Sequence, residues 1–288
     1  MAVLSAHGVS DLVKVGLVDD ANPQANSPVD PCAGVSLTRG LRYGASEQNL
    51  LSVANSTDSG PAPRPVLLFV AGTSFGEEAL SADWAMRDQA ICLAARNGMV
   101  GVAMSYRRAP ADVWPAGAKD VAATASWIHQ NIDLYGGDAR EIIAVGYAAG
   151  AFHLASFLAH PELQNADSDI AVAVLISGIY KSDADADESE RSYFGTDTSK
   201  YDDRSAFPGI LEVEEPIVLA WSATDPPRLV KEAERLRDQL CGAGHCPRTA
   251  ELSDRDSPSS VFDLDGSDTS LVKRTNQLIS QIEARGLP

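Results

Sequence analysis

Residues 142–151 read Ile-Ile-Ala-Val-Gly-Tyr-Ala-Ala-Gly-Ala. An apolar run ends in Gly-x-Ala-x-Gly, and an alanine-rich stretch of helical character, 149–159, follows it. This is the outline of a strand, a sharp turn and a helix. With serine in the middle, such a turn presents a nucleophile for acyl transfer. The small residues let strand and helix approach while the middle residue is strained and its side chain raised. Here the middle residue is Ala148, and a methyl group attacks nothing. Acyl transfer also needs a histidine to take the proton, an acid to hold that histidine, and backbone N–H groups for the oxyanion. The histidines are His7, His129, His153, His160 and His245, and none follows position 245.

The elements that would position these groups alternate in type. Val35–Tyr43 and Asn49–Ala54 read as an antiparallel pair at a sheet edge. Val66–Val70, Met99–Tyr106, Glu141–Val145, Ile170–Ile176 and Pro216–Trp221 are apolar runs suited to strands buried on both faces. Ala82–Asn97, Ala116–Tyr135, Ala149–His160, Pro227–Cys241 and Ser270–Ala284 have helical spacing, and Arg248–Leu252 is a short sixth strand. Strands alternating with helices predict an α/β fold, a mostly parallel sheet covered on both faces. The predicted organisation is an N-terminal extension, 1–32, and one domain, 33–288, carrying an acidic, loop-rich, cap-like insertion at 177–215.

Net charge is −17, which argues against nucleic acid and anionic membrane surfaces as partners. Much of the excess lies in Asp183–Glu190 and Asp197–Asp203, read as solvated acidic loop. No apolar run is long enough for a membrane span. Met1–Asp20 lacks a basic start and a long apolar stretch, so the expected compartment is cytoplasmic. Cys32 falls in a loop and Cys92 in an apolar helical pattern. Cys241 and Cys246 flank Gly-Ala-Gly-His, too isolated for a zinc site, and read as a local disulfide or two loop thiols. No cofactor motif is present, and Gly-x-Ala-x-Gly is not a dinucleotide or phosphate loop.

Several stretches together resemble the carboxylesterase, feruloyl-esterase-like and arylformamidase-like branch of the α/β hydrolases. They are Val66–Gly72, Ser105–Pro110, Trp114–Gly117, Tyr135–Asp138, the turn around Ala148, Tyr193–Gly195 and Ala223–Pro226, in order. The resemblance implies a single-domain α/β-hydrolase fold. It makes Ala148 the nucleophile position and Asp225, just past Pro216–Trp221, the acid position. On its register Ser257 stands where the histidine should be. The family's His-Gly-Gly-Gly oxyanion loop is replaced by Ala71-Gly72-Thr73-Ser74, followed by Phe75. The Ala149 N–H would be one oxyanion donor. His153 reads as a packing or capped surface histidine, and His245 precedes the last strand and is a poor substitute base.

Nucleophile, base and oxyanion loop all depart from the pattern, and no single reversion rebuilds a Ser–His proton path. Three readings follow. One is a repurposed fold that binds a small, partly apolar molecule, with or without non-hydrolytic chemistry such as a lyase, dehydratase, cyclase or isomerase step. Asp225, Asp256, Tyr147, Thr73, Ser74 and Ser257 would surround its pocket, with a carboxylate as general base. The second is a catalytically dead binding or partner protein. The third is an esterase inactivated at Ala148. Trp84, Tyr106, Trp114 and Trp221 are candidate aromatic linings or core residues. The pocket is expected at the carboxyl ends of the strands.

Overall fold

The computed structural model describes residues 32–56, 63–72, 74–76, 80–183, 185–222 and 225–252, with the backbone alone at 80–85 and 251–252. It contains β1 (Ser36–Arg42), β2 (Leu50–Asn55), β3 (Arg64–Val70), α1 (Leu80–Arg96), β4 (Val100–Met104), α2 (Ala116–Asn131), β5 (Gly137–Tyr147) and α3 (Ala149–Ala159). These are followed by β6 (Val172–Ile176), α4 (Glu188–Phe194), β7 (Ile217–Ser222), α5 (Pro227–Ala243) and β8 (Arg248–Leu252). The strands form one sheet in the order β1-β2-β4-β3-β5-β6-β7-β8. β1 and β2 run antiparallel at one edge, and from β4 onward neighbours are parallel.

Period two sorts the central strands into two apolar layers. Val66, Leu68 and Val70 face a core shared with Val121 of α2, Leu154 of α3 and Leu236 of α5. Leu67 and Phe69 face the opposite core, with Ile91 and Cys92 of α1. Burial on both faces is why these strands read as unbroken apolar runs. β5 begins earlier than expected, at Gly137, because Gly137 pairs with Arg64 before the ladder shifts register at Val66.

Helix ends follow local chemistry. A 3₁₀ turn, Ile132–Tyr135, extends α2, and Gly136 stops it at φ 78°, its N–H on the carbonyls of Ile132 and Asp133. α5 starts with Pro227 and ends at Gly244 in the left-handed conformation.

The insertion 177–215 is not wholly a solvated acidic loop. Its α4 carries Tyr193 and Phe194 fully buried against Phe75 and Phe152. Glu190, expected among solvated acids, is buried and bonded twice to Arg228 of α5, at 2.5 and 2.8 Å. Burial lifts Glu190 above the ordinary carboxylate range, while Glu190 holds Arg228 above its own. Glu232 of α5 adds a second tether, accepting from the N–H groups of Tyr180 and Lys181. The segment up to Pro31 and the helix expected at Ser270–Ala284 lie outside the described residues.

Candidate functional site

The turn between β5 and α3 keeps the strain that a nucleophile would need. Ala148 sits at φ 49°, ψ −115°, a region that non-glycine residues rarely occupy. Its N–H is anchored to the Ile176 carbonyl of β6 at 2.9 Å. Glycine is required at 150 because a Cβ there would stand 1.9 Å from the Val70 carbonyl oxygen. Tyr147 and Ala148 are half-exposed, so the raised position opens outward and presents only a methyl group.

The backbone donor expected beside it is already used. The Ala149 N–H, which an oxyanion would face, donates to the Gly72 carbonyl at 2.8 Å. Gly72 allows this approach, since a Cβ there would lie 1.8 Å from the Tyr106 hydroxyl. The loop beyond Gly72 is tied down in turn. The Ser74 hydroxyl lies 2.8 Å from that of Ser189 in α4 and accepts from the Gly76 N–H, while Ser189 accepts from the Phe75 N–H. The Arg108 guanidinium donates to the carbonyls of Ser74 and Gly76. Ser74, expected to offer its hydroxyl to a pocket, thus bonds protein groups instead. Thr73 lies outside the described residues.

Asp225 stands past β7, where the resemblance puts the acid, and what it holds is a serine. Its Oδ2 accepts from the Ser177 hydroxyl at 2.6 Å and from the Ser222 N–H at 2.9 Å. Ser177 follows β6 directly, at φ 50°. The register pairs Tyr147 with Ile176 and Ile176 with Ala220. Ala148, Ser177 and the Ser222–Asp225 turn therefore cross three neighbouring strand ends in a row. Sequence reasoning missed Ser177. The signal was its place one residue past a strand adjacent to the acid-bearing one, readable only once strand order is known.

No described histidine serves as base to Asp225. His129 bonds the Asp169 carbonyl, and His160 bonds Glu162 and the Ser205 carbonyl. The His245 backbone N–H donates to the Leu240 carbonyl at the end of α5. His153 is fully buried, with neither ring nitrogen hydrogen-bonded among the described residues, so the surface alternative for it is excluded. It lies among Tyr106, Tyr193, Phe75 and Phe152, with ring centroids 4.3–6.0 Å away. Burial, and then the nearby Arg108 charge, push its pKa down to about 3, so it is neutral at ordinary pH. Ser257 and Asp256 lie outside the described residues.

Two of the aromatic candidates belong to the core. Tyr106 is fully buried and Trp221 nearly so. Trp114 is half-buried and stands edge-on to His160, and the Trp84 side chain is not described. An open groove of about 900 Å³ lies at the far end of α3, lined among others by His160, Lys181, Phe207 and Arg235. Its cations are matched, Lys181 by Asp202 and Arg235 by Glu232. Among the described residues no cluster of three or more potential metal ligands occurs.

The family model BD-FAE matches residues 54–188. Esterase LipQ of Mycobacterium tuberculosis (strain ATCC 25618 / H37Rv) is 32% identical over 159 residues, which is 50% of this chain and 35% of LipQ. Esterase LipC of the same strain is 35% identical over 120 residues, 41% of this chain and 28% of LipC. The chain thus spans about a third of the length of the curated relatives it matches. Among solved structures, an inhibited esterase B from Lactobacillus rhamnosis superposes with a TM-score of 0.71 at 15% identity, covering 88% of this chain and 91% of that one. A thermostable esterase from Pseudomonas putida ECU1011 gives 0.65 at 16% identity, over 88% and 84%. At such identities these structures establish the fold. No helix among the described residues is long and apolar enough to cross a membrane.

Proposed function

We propose that this chain, an α/β-hydrolase-fold protein of the carboxylesterase-like branch, has left ester hydrolysis and holds a small, partly apolar molecule above its strand ends. The observation that carries this reading is the turn itself. Ala148 keeps the strained nucleophile conformation with no nucleophile on it, and the adjacent Ala149 N–H is spent on Gly72. Hydrolysis would need a serine, a base and a free oxyanion donor, and substitution at 148 supplies one of the three. What remains at the strand ends is the half-exposed row of Ala148 and Asp225, with Ser177 beneath and Tyr147 beside it. The Ala148 methyl offers a small ligand one apolar contact, and the carboxylate, phenol and hydroxyl around it offer a few polar ones. Asp225 is the group that would move a proton in a non-hydrolytic step. A simple inactivated esterase fits less well, because its remaining machinery should be open and is instead internally bonded.

The test is hydrolysis of p-nitrophenyl butyrate by the chain, by Ala148→Ser, and by Ala148→Ser with Ser257→His. Background rates are expected for the first two. The same ester, left intact, should raise the melting temperature of the parent chain, and Ala148→Trp should abolish that rise. Fast turnover by Ala148→Ser alone would show an intact esterase site. Absence of any thermal shift would remove the ligand-binding part of the reading.

A further inference from the structure

We infer that this chain matures in an oxidising compartment, with its four cysteines joined as Cys32–Cys92 and Cys241–Cys246. All four cysteines of the sequence are paired and none is free. The pairs are independent. Cys32 lies in the turn before β1 and Cys92 in the buried face of α1, a sequence separation of 60. Cys241 is on the last turn of α5 and Cys246 is just before β8, and both are exposed.

Neither metal binding nor a small core accounts for the cysteines. No metal-ligand cluster among the described residues claims the thiols. A chain of this length builds a sufficient core without staples, so size does not demand cross-links. In a reducing cytosol such thiols would stay apart, whereas outside it paired cysteines are the rule. The inference departs from the cytoplasmic expectation, which rested on the N-terminal residues alone.

Each bond forms by thiol–disulfide exchange. Two thiols lose two protons and two electrons, and a donor disulfide takes them up to become a dithiol. Two such donors complete the chain. Access orders the reverse reaction: the exposed Cys241–Cys246 bond meets a reducing thiol first, and the bond reaching Cys92 in the core meets it last. The consequences are also unequal. Cys32–Cys92 closes a long loop of the unfolded chain, while Cys241–Cys246 closes a turn that already carries the Gly244 and His245 N–H bonds to α5. Loop-closure entropy for the long loop, spread over the unfolding entropy of a domain this size, corresponds to about 10 °C in melting temperature.

The experiment is to produce the full chain in a bacterial periplasm and, separately, in a reducing cytosol, alkylate both without reductant, and map peptides by mass spectrometry. The periplasmic protein should carry no alkylated cysteine and show the two cross-linked peptide pairs. It should melt about 10 °C above the cytosolic, four-thiol form. Cys241→Ser with Cys246→Ser should keep most of that gap, and Cys32→Ser with Cys92→Ser should lose it. Alkylation in the periplasmic protein, other pairings, or equal melting of the oxidised and reduced chains would overturn the inference.

Discussion

Replacing Ala148 by glycine should stabilise the protein, although glycine normally destabilises. The residue sits at φ 49°, ψ −115°, and a Cβ in such a region costs about 1–3 kcal/mol. Glycine removes that cost. Against it, glycine loosens the unfolded chain by about 0.4–1 kcal/mol. Ala148 is half-exposed, so losing its methyl forfeits only about 0.4 kcal/mol of burial. The balance is a gain of about 1 kcal/mol, or a rise of about 2 °C in melting temperature for a chain of this size. Ala149→Gly is the control. Ala149 is 5% exposed and lies in the first turn of α3, so the same chemical change there should cost about 1 kcal/mol. Ala148→Ser keeps the Cβ and should stay within about 0.5 kcal/mol of the parent. Calorimetry or urea titration reads all three. If both glycine variants lose stability equally, the turn is not strained, and the claim that the chain preserves a nucleophile geometry without a nucleophile is wrong.

Two further outcomes follow from buried charge. The unfolded chain takes up a proton on His153 near pH 6.5 and the folded chain only near 3. This group's effect is therefore nil above 6.5, and stability falls by up to about 1.4 kcal/mol per pH unit below it. His153→Leu should flatten that part of a urea-midpoint profile against pH, and identical slopes in the two proteins would count against a neutral, sealed imidazole. Arg228→Ala leaves Glu190 buried without its partner and should cost about 2–3 kcal/mol, part of it recovered by Glu190→Gln in the same chain. A loss under about 0.5 kcal/mol, the level of a surface pair, would show that α4 is not held through this contact.

The strands and helices were legible because each is a local period. The runs at Val66–Val70 and Ile142–Val145 carry no polar residue, and the helical pattern expected over Ala116–Tyr135 stops where Gly136 takes a positive φ. The strand–turn–helix at Ala148 was legible for the same reason. What escaped depends on partners distant in sequence. Ser177 is unremarkable until β6 lies beside β7. Glu190 reads as one more acid until Arg228, on another helix, makes its burial tolerable. Cys32 and Cys92 read as unconnected residues, because nothing local in a turn or a helix announces a partner 60 residues away. The resemblance makes the Ala149 N–H an oxyanion donor, and only the path of the chain through Gly72 shows where that N–H goes.

The strand order has a consequence for how the chain is made. β2 finds its inner neighbour only in β4, and β3 is flanked by β4 and β5. During synthesis, the apolar strand at Leu50–Asn55 waits for Met104 to emerge, and β3 stays open on one side until Tyr147 does. At about 5–20 residues per second that is a wait of several seconds. Through that interval the nascent chain exposes the edges of its most apolar strands, and pairings this far apart in sequence form slowly. β5 in turn waits for β6 to reach Ile176, so slowing translation before these strands have emerged should increase aggregation, whereas a pause after the last of them should not.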